Sequence, residues 1–205
     1  QIINVPFVGL VSNTGSYTTG TSPDGNTSLT VNDKGVVTNG STPITVFGNP
    51  EQGTFNKGSA ALAEFGSDPT TGTYWGRWGS GYTMSAAGVS ATSNGPNHVM
   101  YSPHVTSATE LTALKTAASG ATANPQIVNA TYTYVGGTSP TRSDGAVGSI
   151  NNMTVKANFS SQMITAYDVN LKFGTGTTAQ VWDAHLDPAK AGNATFGNFT
   201  GTGSS

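Results

Sequence analysis

A chain of 205 residues with no cysteine, a net charge of -2 and 9% charged residues, against roughly 25% in an ordinary soluble domain, excludes disulfide, zinc-finger and iron–sulfur chemistry. It also offers no basic field to gather phosphates, which argues against nucleic acid as a partner. The hydrophobic fraction of 35% suffices to close a core, and no run of about 18 apolar residues is present to span a membrane as a helix.

Thr, Ser, Asn and Gly solvate the surface in place of Lys and Glu. Thr is β-branched and the others favour turns, so composition alone predicts an all-β fold. Weak surface charge without disulfides places the expectation at a secreted or cell-surface protein, and the start at Gln1 rather than Met reads as a mature form or a trimmed fragment.

Residues 1–12, QIINVPFVGLVS, form the most apolar segment and read as a buried strand, with Pro6 favouring an edge or bulge because it lacks a ladder donor. The plain alternative is a strand of the chain's own sheet. The sharper one is an extension that inserts into a neighbouring copy by strand addition, with Ile2, Ile3, Val5, Phe7, Val8, Leu10 and Val11 as the interface. Short strands follow at 29–31, 35–38 and 44–47, separated by the turn sequences Asn-Asp-Lys-Gly and Asn-Gly-Ser. Residues 48–73 are punctuated by Gly, Pro and Asn and read as a connector with a short helical turn at 59–65.

A helix is expected from Ser107, where Ser-Ala-Thr-Glu is a capping box, with Leu111 and Leu114 facing inward and Gly120 as the stop. Beyond Asn129 the pattern is strand. Met153, Val155, Ala157 and Phe159 alternate with polar residues, and so do Thr165, Tyr167, Val169, Leu171 and Phe173, which predicts an antiparallel hairpin. Further strands are expected at 179–186 and 195–200. The whole predicts a meander over 1–70 followed by a barrel-like domain over 71–205.

Five segments in order, YWGRWGSG at 74–81, HVMYSP at 98–103, ATYTYVGGTSPTRSDGAVGSI at 130–150, NMTVKANF at 152–159 and GNFTGTG at 197–203, resemble the eight-stranded surface β-barrel of transferrin-binding-protein-type lipoproteins and of the C-terminal part of FecR-like proteins. The resemblance implies an antiparallel eight-stranded barrel or sandwich and a surface module that binds a host protein, haem or another small ligand. Family members continue past a Gly-Phe-x-Gly segment like GNFTGTG into two more strands that close the barrel. Here the sequence stops at Ser205, and because open edges pair with other strands, the expectation is that either the N-terminal apolar strand closes the barrel from within the chain or another copy's strand does so from outside.

Candidate chemistry is thin. Asp183, His185 and Asp187 share one face of a strand and suit a divalent metal by type, but successive ligands on a pleat diverge by about 7 Å. His98, His104 and Tyr101 suit haem, with structural roles as the plain alternative. No Gly-x-Ser-x-Gly elbow occurs, and Glu is confined to Glu51, Glu64 and Glu110, in connector or helix sequence rather than as a glycosidase pair. Asp24 and Asp33 lie in turn sequences that explain them without calcium. Asn129, Asn158 and Asn198 head Asn-x-Ser/Thr triplets that such a composition produces by chance. Trp75 and Arg77 fall on one strand face and Trp78 on the other. The expectation is a non-enzymatic extracellular structural protein without cofactor, polymerising with copies of itself by strand exchange. The alternative is the ligand-binding surface module.

Overall fold

The computed structural model describes residues 1–12, 15–19, 27–46, 49–86, 88–104, 106–119, 128–186 and 202–204, and side chains are described for most of these. The chain is all-β, with three antiparallel sheets and one α-helix among the described residues. It divides into two compact units, the first comprising Gln1–Val105 with Gly136–Thr138, the second Thr106–Val135 with Ser139–Ser205.

The first unit holds β1 (Ile2–Val5), β2 (Phe7–Ser12), β3 (Gly15–Thr19), β4 (Thr27–Val31), β5 (Val37–Val46), β6 (Asn49–Asn56), β7 (Leu62–Asp68), β8 (Thr73–Trp78), β9 (Thr83–Ala86), β10 (Val89–Thr92) and β11 (Asn97–Ser102). They form a six-stranded sheet in the order β1-β4-β5-β6-β9-β10 and a five-stranded sheet in the order β3-β2-β11-β8-β7. One buried cluster joins the sheets face to face. Val5, Leu29, Val31, Val37, Phe55 and Met84 come from the first, and Val8, Leu10, Trp78, Val99 and Tyr101 from the second. That is sandwich packing, in which inner-face residues alternate with outer polar ones along each strand.

The N-terminal segment is two strands rather than one. Pro6 stands at a bend between β1, which pairs with β4 in one sheet, and β2, which lies between β3 and β11 in the other. A residue without an N–H fits where the chain leaves one ladder for the next. Asn39-Gly40-Ser41, expected as a turn, lies inside β5, because Gly40 pairs with Phe55 and the ring lies across it. A Cβ there would stand 2.0 Å from the Phe55 ring. The expected connector at 48–73 contains β6 and β7 instead, each held by two-sided or one-sided pairing that its Gly and Pro residues did not announce. The expected domain boundary at 70/71 falls in the turn between β7 and β8, which pair with one another; the units divide at 105/106.

The second unit contains α1 (Ala108–Ala117), β12 (Asn129–Thr133), β13 (Gly148–Asn158), β14 (Met163–Phe173), β15 (Gln180–His185) and β16 (Thr202–Ser204), the strands forming one sheet in sequence order. The capping box is as the sequence indicates: Glu110 N–H donates to Ser107 Oγ at 3.2 Å, and Ser107 N–H donates to Glu110 Oε2 at 2.7 Å. Leu111 and Leu114 pack on a second core built from Ala118, Ala157, Phe159, Ile164 and Leu186. The predicted β13–β14 hairpin is present, with two register shifts. The strand expected at 195–200 lies outside the described residues.

Candidate functional site

Strand register brings three titratable side chains into one row on the outer face of the five-stranded sheet. Glu64 on β7 opposes Arg77 on β8, which opposes His98 on β11. Arg77 Nε donates to Glu64 Oε2 at 3.0 Å, and His98 Nδ1 and Thr138 Oγ1 lie 2.7 Å apart in a hydrogen bond. Burial holds the His98 pKa below the usual imidazole value, Arg77 lowers it further, and Glu64 opposes the shift. His98 is therefore neutral near pH 7 and bonds Thr138 of Gly136–Thr138, the segment that joins this unit from beyond residue 105.

Trp75 completes that seat. It lies on the same face as Arg77, opposite Gly66 and Met100. A Cβ at Gly66 would stand 2.7 Å from Trp75 Nε1, and one at Gly136 would stand 2.5 Å from its Cζ2, so both glycines are the space that the indole occupies. Trp78, on the opposite face as alternation requires, is buried and donates from Nε1 to the Val37 carbonyl at 3.0 Å.

The candidate haem residues do not converge. His98 and Tyr101 point to opposite faces of β11, because Tyr101 is in the core beside Tyr74, with ring centroids 5.3 Å apart. Burial and the neighbouring Tyr74 push the Tyr101 phenol up to about 12. His104 is exposed in the segment after β11, where its carbonyl accepts from Ser102 Oγ at 2.8 Å. Of the candidate metal residues, Asp183 and His185 share a face of β15, and Asp183 accepts a hydrogen bond from Asn170 Nδ2. His185 stands opposite Asp168 in the ladder. Asp187 lies outside the described residues, and so do Asp24 and Asn198. Among the described residues no group of three His, Asp or Glu side chains is placed to hold a metal ion.

The residues expected at a strand-exchange interface are placed within the chain's own sandwich. Val5, Val8 and Leu10 are core, Ile3 packs against it, Phe7 is half-buried, and Ile2 faces solvent. Val11 pairs through its backbone with His98 and Ser16. Asp33 lies in a turn held by Asn32 Oδ1, which accepts from Lys34 N–H at 3.0 Å and Val36 N–H at 2.9 Å. A hollow of about 820 Å³ opens beside this turn, walled by Ile3, Val31, Asp33, Lys34, Tyr74 and Tyr101. Tyr74 is stacked on Tyr101 and pressed by Gly35, where a Cβ would stand 2.5 Å from the ring, so its ring is committed to packing.

Open edges are expected from an unclosed barrel, but which strands form them is set by the sheet order. Among the described residues β1 and β10 are the two ends of the six-stranded sheet, and neither carries a charged residue or a proline within its span, the sequences being IINV and VSAT. The edge strand β7 differs: it carries Glu64 and Asp68 and a register shift between Leu62 and Glu64, devices that protect an edge from pairing. No family model matches the chain, and no curated protein or solved structure matches it either.

Proposed function

We propose that the chain is an extracellular, non-enzymatic structural protein whose subunits associate with copies of one another by pairing open sheet edges. The observation that carries this reading is the pair of uncharged, unprotected strands at both ends of one six-stranded sheet. Such edges present rows of backbone donors and acceptors to any incoming strand. A chain with 9% charged residues and a net charge of -2 adds little like-charge repulsion between copies.

The side chains that suggested chemistry have structural partners. Glu64 is paired with Arg77, Glu110 closes a helix cap, and His98 bonds Thr138. Pairing by edges leaves β1 and β2 in place, whereas insertion of residues 1–12 into a neighbour would first have to break their pairing with β4, β3 and β11. The test is size-exclusion chromatography with light scattering over a concentration series, beside negative-stain electron microscopy. Concentration-dependent multimers or filaments support the reading; monomers throughout the series overturn it.

A further inference from the structure

We infer that assembly is head to tail, with β10 of one copy pairing with β1 of the next so that the six-stranded sheets run on continuously. This inference rests on the self-association proposed above and names its interface.

The backbone supplies the first part. Gln1 and Val31 exchange both backbone hydrogen bonds, at 2.8 and 3.0 Å. Bonded and non-bonded pairs alternate along an antiparallel ladder, so Ile3 and Val5 also turn toward β4, while Ile2 and Asn4 turn their N–H and C=O groups to the open side. β10 is bonded on one side only, to β9, and alternation leaves every second residue of it aimed outward in the same way.

The side chains supply the second part. On β1, Ile3 and Val5 face the core, and Ile2 and Asn4 face solvent. On β10, Ala91 stands opposite the buried Met84 and so lies on the core-facing side, with Val89 two residues away on that side. All four residues of β10 are exposed among the described residues, Val89 at 71%. Laying β1 of a second copy against β10 sets its Ile3 and Val5 beside Val89 and Ala91, and its Ile2 and Asn4 beside Ser90 and Thr92. The apolar row continues on one face and the exposed row on the other. A one-residue slip would reverse both, which fixes the face. The two edges are different surfaces at opposite ends of one sheet, so the contact is heterologous and each added copy presents a fresh β10 or β1.

The test blocks one edge at a time. Ile2→Lys closes β1 and Val89→Lys closes β10, each at a position more than two-thirds exposed, 72% and 71%, where Lys leaves the fold intact and obstructs strand pairing. Far-UV circular dichroism and thermal melts check folding, and Asn4→Lys with Ala91→Lys form a second pair should either variant misfold. By size-exclusion chromatography with light scattering, each variant alone is expected to be monomeric at a concentration at least about tenfold above that at which the unmodified chain assembles. An equimolar mixture of the two is expected to form one-to-one dimers and to stop there, because only one free β10 meets one free β1. If Ile2→Lys alone dimerises while Val89→Lys does not, pairing is symmetric through β10 and the inference fails. If both variants assemble like the unmodified chain, association runs through another edge, such as β12, and the head-to-tail inference fails while self-association stands. If the unmodified chain never assembles, both fail.

Discussion

Leu10→Ala tests whether the N-terminal apolar segment belongs to the chain that carries it. Leu10 is 2% exposed in the interior strand β2, with β3 hydrogen-bonded on one side and β11 on the other. Its inward neighbours in the cluster include Val8, Val99 and Trp78. Removing a buried leucine's outer atoms costs about 2–5 kcal/mol, set by how far the site collapses. A backbone pinned by two ladders collapses little, so the expected loss is in the upper half of that range, about 3–5 kcal/mol. The assay is urea denaturation followed by circular dichroism, made in the Ile2→Lys background. The destabilisation is expected to be the same over a hundredfold range of protein concentration, because an intrachain strand gains nothing by mass action. A loss below about 1 kcal/mol, or one that shrinks as concentration rises, would refute the placement of β2 and favour a donated strand.

Acidification tests the seat of Gly136–Thr138. The folded pKa of His98 is lowered from 6.5, chiefly by burial and then by Arg77, so the unfolded chain takes up the proton first. Its contribution is intact above pH 6.5 and stability falls as pH drops through the folded pKa. Melts at pH 7.5 and 5.5 should show this loss, and His98→Gln should reduce it; an unchanged difference would show that His98 is not the group responsible. Ser107→Ala removes the acceptor for Glu110 N–H and should cost about 1 kcal/mol, read by chemical denaturation, with Ser107→Asp retaining stability. Tyr82 is fully buried and its hydroxyl meets no hydrogen-bond partner among the described residues, which leaves the desolvation of that group uncompensated. Tyr82→Phe should therefore leave stability unchanged or raise it by up to about 1 kcal/mol; a clear loss would show that the hydroxyl is served.

Where local chemistry and tertiary packing agree, the sequence is readable. The Ser107–Glu110 cap is a contact over three residues, and both of its hydrogen bonds form as the motif implies. The β13–β14 alternation is likewise local, with strands joined by a short turn. Alternation within β8 also assigns faces correctly for Trp75, Arg77 and Trp78. Reading failed where glycine does a packing job. Gly40 and Gly66 resemble turn residues in composition, yet each sits within a strand because an aromatic ring needs the space above it, Phe55 in one case and Trp75 in the other. Which glycine lies under a ring depends on the partner strand, and pairing is not local information.

The same reasoning explains why open edges could be expected from the sequence but not assigned to particular strands. A site made of side chains leaves a signature in residue types at particular spacings, but an open edge is made of backbone, and every residue except proline offers the same donor and acceptor. What distinguishes an edge that pairs from one that does not is the absence of charge, proline or bulge. In a chain with 9% charged residues that absence is everywhere, so it becomes informative only after topology identifies the end strands. Once β7 is seen as an edge with Glu64, Asp68 and a register shift, while β1 and β10 have none of these within their spans, the contrast lies within one unit at one composition. β3, the other end of the five-stranded sheet, is uncharged as well, with the sequence GSYTT, so β7 is the one guarded edge of the unit among the described residues, and both ends of the six-stranded sheet are left able to pair, as a sheet that grows at its ends requires.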